Sequence, residues 1–273
     1  MKRVAEFLDA HAWVAPSVLL GGLLVIGIVA GSGYGIAWDE PVQRQYGSDV
    51  YNYVVRGNAE LFLNRHRYYG PVFEFLFFGL EKALGLEDAR SVYLMRHLAN
   101  FLVLWTGALF FFMLARRILR SWKMGLLASV MLVASPRIFA HGFYNSKDIP
   151  FLSMFVVGVY TLVRYLDRRT VVRAVVHGAV CAVLVDTRIV GIMLPALTVA
   201  FVAAGLLRGG DSGRRARTAV RRTAAGLSAF MATWAGVTVL CWPTLWRAPL
   251  ANFVRVFEGM RNFPWEATVL YAG

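Results

Sequence analysis

The sequence predicts an all-α polytopic membrane protein: seven transmembrane helices, plus an outer loop with interfacial helices. Three observations carry this. Of the 273 residues, 58% are hydrophobic, more than the roughly half that soluble domains reach. The apolar residues come in long blocks, which read as membrane spans. Basic residues gather in short segments between those blocks, 29 Lys and Arg against 16 Asp and Glu, for a net charge of +13. On a soluble protein that surplus would point to nucleic acid. Here it flanks spans and is spread over several loops, so it reports topology, and no nucleic-acid partner is expected.

The apolar blocks predict helices over 14–34, 97–115, 124–140, 150–166, 171–187, 189–207 and 224–242. Several fall short of the roughly 20 residues a spanning helix needs, so their ends extend into polar flanks. The turn at Asp186, Thr187 and Arg188 is very short for a link between two spans. The first block is long enough to stay as a span, with no signal-peptidase pattern. Cys181 and Cys241 both lie in apolar runs; they read as small buried hydrophobes, and no disulfide is expected.

Sidedness follows from charge. With Lys2 and Arg3 in the cytoplasm, the cytoplasmic side carries 16 basic residues against four acidic ones. The opposite side carries 13 basic and 12 acidic residues. Almost all the net charge therefore falls on one face, as the positive-inside rule requires. The expected location is a bacterial inner membrane, since Ala, Arg and Gly are abundant. Twelve of the 16 carboxylates then face outward.

The longest polar segment, 36–95, is the large outer loop. It opens with AWDEPVQRQYGSDVYNYVVRGN, passes a basic and aromatic patch, NRHRYYGP, and reaches VFEFLFFGLEKALG. In this last run Glu74, Glu81 and Lys82 fall on one side at helical spacing while aromatic and aliphatic residues cover the rest. Too short to span, it is expected to lie in the outer interface, the alternative being a packing helix in a small outer domain. No linker, repeat or low-complexity tract divides the chain.

Two short stretches carry chemistry. Trp38-Asp39-Glu40 follows the first span directly, where desolvation raises a carboxyl pKa and makes it a useful base. The same residues can equally cap a helix ahead of Pro41. The second stretch, SPRIFAHGFYNSKDIPFL over 135–152, lies between two spans. Asp148 stands before Ile149-Pro150, near the start of a helix it can cap. His141 and Lys147 serve no cap. A cation beside a carboxylate at the mouth of a span binds a phosphate or holds the carboxylate ionised. Arg188 is a third cation at similar depth. These groups are also able to form structural ion pairs between helices.

The acidic pair after the first span, the long outer loop and the block SPR…H…N-K-D-I-P-F together resemble the C-type glycosyltransferases. The nearest branch is that of the protein O-mannosyltransferases and the lipid A aminoarabinose transferases. The resemblance runs from Trp38 to the end of the chain. It implies transfer of a sugar, with inversion, from a polyprenyl-phosphate carrier to a lipid, glycan or protein acceptor. It also implies a seven-helix module with two perpendicular helices in the first outer loop. The base would be Asp39, with Glu40 its neighbour and Asp148 also at the catalytic centre; Lys147, Arg188 and His141 would bind the donor phosphate. Some such enzymes use a divalent metal and others do not. No spacing here specifies a metal site, so none is assigned.

The resemblance treats 1–273 as one module and departs from the family in one respect. Family members carry further spans, so the expectation is a chain lacking the C-terminal part. Two rivals remain. A transporter or flippase of lipid-linked sugars would place its site near the bilayer midplane, often between repeated halves, and the spans here read as almost free of charge with no repeat. A non-enzymatic assembly subunit would tolerate alanine at Asp39, Lys147 and Asp148.

Overall fold

The structure is a computed structural model that describes residues 13–208 and 214–261. Lys2, Arg3, Glu6, Asp9, Asp211 and the closing stretch FPWEATVLYAG lie outside the described residues. All regular structure among the described residues is helical: α1 (Val14–Gly31), α2 (Glu40–Arg56), α3 (Val72–Ala83), α4 (Ala89–Leu119), α5 (Trp122–Val133), α6 (Pro136–Tyr144), α7 (Asp148–Asp167), α8 (Val171–Thr187), α9 (Met193–Arg208), α10 (Arg214–Cys241) and α11 (Pro249–Arg261). Five stretches are long and apolar enough to cross a membrane: α1, α4, α7, 189–207 (α9 with the 3-10 turn before it) and the 220–241 part of α10. The pair α5 and α6, bent by 66°, adds a sixth if it counts as one span. Pro136 opens α6 and brings no N–H to continue the α5 ladder, so the chain breaks there. The protein is thus a multi-pass membrane protein by its helices.

α4 organises the bundle. It packs against α1, α5, α6 and α7. At 31 residues it is about 46 Å long, well beyond the roughly 30 Å hydrocarbon core. Its first turns, from Ala89, precede the apolar block that the sequence marks from residue 97. Arg96 ends this extension and His97 and Asn100 open the block, and all three are buried. Each of these polar side chains has a partner on another element, which is why the helix extends through residues that hydropathy alone assigns to a loop.

Contact faces follow side-chain size. Gly27 of α1 presses on the Phe101 ring, where a Cβ would stand 1.9 Å from a ring carbon. Trp105 Nε1 donates to the Leu20 carbonyl at 2.8 Å. The opposite face of α1 shows Val18, Val25 and Val29 to the surroundings, as a lipid-facing helix must. α8 lies between α7 and α10. There His177, fully buried, sits 2.8 Å from both Thr161 and Thr198 hydroxyls. The spans are therefore not free of polar groups, and this buried knot joins α7, α8 and α9.

The loop helices differ from expectation in one respect. α3 does carry an exposed apolar stripe, Leu76 and Leu80, continued by Leu84 at its C-cap. Its carboxylates face inward rather than toward a polar medium: Glu74 and Glu81 are 5% and 0% exposed. Arg44 of α2 makes two bonds to Glu81, at 2.8 and 2.7 Å. Arg96 of α4 meets Glu74 at 2.5 Å. Only Lys82 stays at the surface. The helix is inverted relative to a water-exposed one, because its charges find fixed cations on α2 and α4.

Candidate functional site

One end of the bundle gathers the start of α2, the loop before α3, the start of α7 and the turn after α8. Its centre is Lys147, at the N-cap position of α7. The Lys147 Nζ lies 5.0 Å above the centre of the Tyr69 ring. Burial lowers its pKa, against the opposing pull of Asp39 and Glu74, with Asp148 and Arg188 also within electrostatic reach. Tyr69 is held for this contact, since its carbonyl accepts from the Tyr46 hydroxyl at 2.5 Å.

Asn145 builds the turn that presents Lys147 and Asp148. Its Oδ1 accepts from the backbone N–H of Asp148 at 2.8 Å and of Lys147 at 3.2 Å. Its Nδ2 donates to Asp148 at 3.0 Å and to His141 Nδ1 at 2.9 Å. Asn145 thus does the capping. Asp148 is the first residue of α7 rather than its cap. Its exposed carboxylate pairs with the Arg188 guanidinium. From below, Asn100 of α4 donates to the Gly142 carbonyl at 2.9 Å. From the side, Ser146 donates to Glu74. The turn is fixed on both sides to α3 and α4.

Asp39 occupies the N-cap position of α2, with Pro41 in the first turn and no side-chain capping bond. Desolvation raises its pKa, and Lys147 pulls it down, while Glu40 and Glu74 add to the rise. Glu40 differs sharply from its neighbour. It is 3% exposed, accepts from the Ala37 N–H at 2.7 Å, and lies 3.0 Å from His97 Nε2. With His97 donating, both oxygens are engaged in fastening α2 to α4.

The structure therefore brings Asp39, Lys147, Asp148 and Arg188 to one end of the molecule, with Lys147 as their shared neighbour. His141 stands one step removed, behind Asn145. Glu74, Tyr69 and Asn145 were not singled out in the sequence for this site. Asn145 has a local signal, an Asn two and three residues before the N–H groups it accepts. Glu74 has none, because its partners Arg96 and Ser146 lie 22 and 72 residues away.

Beside Arg188 and Tyr69 opens a cavity of about 590 Å3, lined also by Ile189, Ile192, Met193 and Phe257. It is mostly apolar, with Arg188 and Arg261 and the Tyr68 and Tyr69 rings as its polar lining. Below the Gly70-Pro71 bend, Val72 N–H donates to Asp186 at 2.8 Å. Gly70 lies so near that a Cβ there would stand 1.6 Å from the Asp186 carbonyl oxygen. The turn around Arg188 is locked to the outer-loop segment by this contact. No group of three His, Cys, Asp or Glu among the described residues is arranged to hold a metal.

Comparison with known proteins finds no matching family model, no matching curated protein and no matching solved structure.

Proposed function

We propose that this chain is a membrane glycosyltransferase that moves a sugar from a polyprenyl-phosphate carrier to an acceptor hydroxyl on the extracytoplasmic side. In this reading the bent pair and α8 complete a set of seven spans, and the end bearing Lys147 faces out of the cytoplasm. The single observation that carries the proposal is the gathering at one end of the bundle of a half-buried, uncapped Asp39, of Lys147 over the Tyr69 ring and of the Asp148–Arg188 pair, where Tyr69 and Arg188 line an apolar cavity. A prenyl chain fits the apolar side of such a cavity, and its phosphate fits the Arg188 cation.

The chemistry follows. A sugar or serine hydroxyl is a weak nucleophile and needs a base within hydrogen-bond reach. Asp39 takes that proton as the acceptor oxygen bonds to the anomeric carbon from the face opposite the leaving group. The bond from the anomeric carbon to the phosphate oxygen breaks, so configuration inverts and the departing lipid phosphate gains a negative charge. Lys147 and Arg188 stabilise that charge as it develops. Burial lowers the Lys147 pKa, and the nearby Asp39 and Glu74 carboxylates oppose that shift and favour the cation.

The test is transfer by purified, reconstituted protein supplied with radiolabelled undecaprenyl-phosphate sugars and a membrane extract. Wild type should label an acceptor, and Asp39→Asn should lose at least about 100-fold in rate. Equal product from both would remove Asp39 as the base. No product with any donor would leave a transporter or an assembly subunit. Orientation is read by Trp38→Cys, which should react with an impermeant maleimide on intact cells.

A further inference from the structure

The end of the bundle opposite Lys147 carries a second cleft, of about 580 Å3, lined by Arg169, Thr170, Val171, Arg222, Thr223 and Ala225. Arg169 and Arg222 bring two guanidinium groups and Thr170 and Thr223 two hydroxyls, and among the described residues no carboxylate lines it. Asp167, the acid nearest in sequence, is turned to Arg117 of α4. Neither Arg169 nor Arg222 has an ion-pair partner among the described residues. Two cations lining one cavity with no counter-charge among the described residues repel each other and attract an anion.

Glycine places one of the two. A Cβ at Gly205 of α9 would stand 2.2 Å from a terminal nitrogen of Arg169. Any side chain there would displace that guanidinium, so the bare backbone of α9 is the surface on which Arg169 lies. Thr223, on the other wall, is 5% exposed. The cleft continues onto an apolar strip of α8, where Val171, Val172, Val175 and Val176 are 50%, 72%, 40% and 49% exposed. A cationic head site and an apolar strip beginning at the same place, on a chain whose helices are long enough to cross a bilayer, match one kind of molecule.

We propose that this cleft is a binding site for an anionic phospholipid, its phosphate between Arg169 and Arg222 and its acyl chains along the valine strip of α8. A free phosphate shares the head-group chemistry but has no use for the strip. The site lies apart from the residues of the transfer reaction and stands or falls separately. A surface Lys or Arg near a membrane contributes about fivefold in affinity for anionic lipid.

The experiment is native mass spectrometry of the purified full chain, with dioleoyl phosphatidylglycerol, dioleoyl phosphatidylcholine and soluble glycerol phosphate as probes. Phosphatidylglycerol should be retained about tenfold or more over phosphatidylcholine, and glycerol phosphate should not compete. Arg169→Gln with Arg222→Gln should remove that preference. Gly205→Leu should weaken it in parallel while leaving both arginines in the chain. Lys123→Gln, on the same face but outside the cleft, should change nothing. Equal loss in Lys123→Gln would reduce the effect to general surface charge and overturn the site. Competition by glycerol phosphate at the same concentrations would overturn the lipid assignment, as would unchanged retention in the double variant.

Discussion

Replacing Glu74 tests how the candidate site is held in place. Glu74 and its partner Arg96 expose only 6% and 3% of their side chains, and they meet at 2.5 Å. Arg96 also lies over the Phe77 ring at 5.5 Å, and its NH1 has no further partner. Glu74→Ala therefore strands a guanidinium that cannot reach water. Removing one partner of such a pair costs about 3–5 kcal/mol. The Ser146 hydroxyl loses its acceptor as well, adding about 1 kcal/mol. Glu81→Ala is the internal comparison, because its partner Arg44 is 36% exposed and can turn into solvent. That loss is expected at about 1 kcal/mol. The double replacement Glu74→Leu with Arg96→Met removes both charges and should lie within about 1 kcal/mol of wild type. SDS-driven unfolding in mixed micelles, followed by tryptophan fluorescence, ranks the variants. The reasoning is refuted if Glu74→Ala is no worse than Glu81→Ala, or if the double variant is as unstable as the single.

Further expectations concern pH and packing. Asp39 acts as a base only when ionised, and desolvation raises its pKa while Lys147 lowers it. Activity should therefore fall on the acid side at a pH above the ordinary carboxylate range. In Lys147→Gln that acid limb should move to still higher pH, since the opposing charge is gone; a limb that stays put would separate the two residues. Gly70→Ala should cost folded protein, because its Cβ would meet the Asp186 backbone at 1.6 Å with no flexible side chain to yield. Gly79→Ala, in the middle of α3 with nothing within 4 Å of the new methyl, should stabilise by about 0.5–1 kcal/mol. Both are read by the same unfolding assay, and the opposite order would contradict the packing described here.

The membrane character of the chain, the existence of its apolar helices and the clustering of basic residues between them were legible in the amino-acid order. Each depends on local composition alone, and composition is what a bilayer sorts. The helix start at Asp148 was legible too, but its cap was read as Asp148, whereas Asn145 accepts from the Lys147 and Asp148 N–H groups. The tertiary structure decided the rest. It bent the 124–140 block at Pro136, started α4 eight residues before the apolar run, and turned the carboxylates of α3 inward. It also separated two neighbouring acids. Glu40 is bound to His97, 57 residues away, whereas the Asp39 carboxylate makes no cap bond and lies within electrostatic reach of Lys147. Side by side in the chain, the two look alike; a helix start turns one into the core and leaves the other at the edge. A buried charge is tolerable only opposite a partner, and which partner arrives is a property of packing between helices distant in the chain, on which local sequence carries no mark.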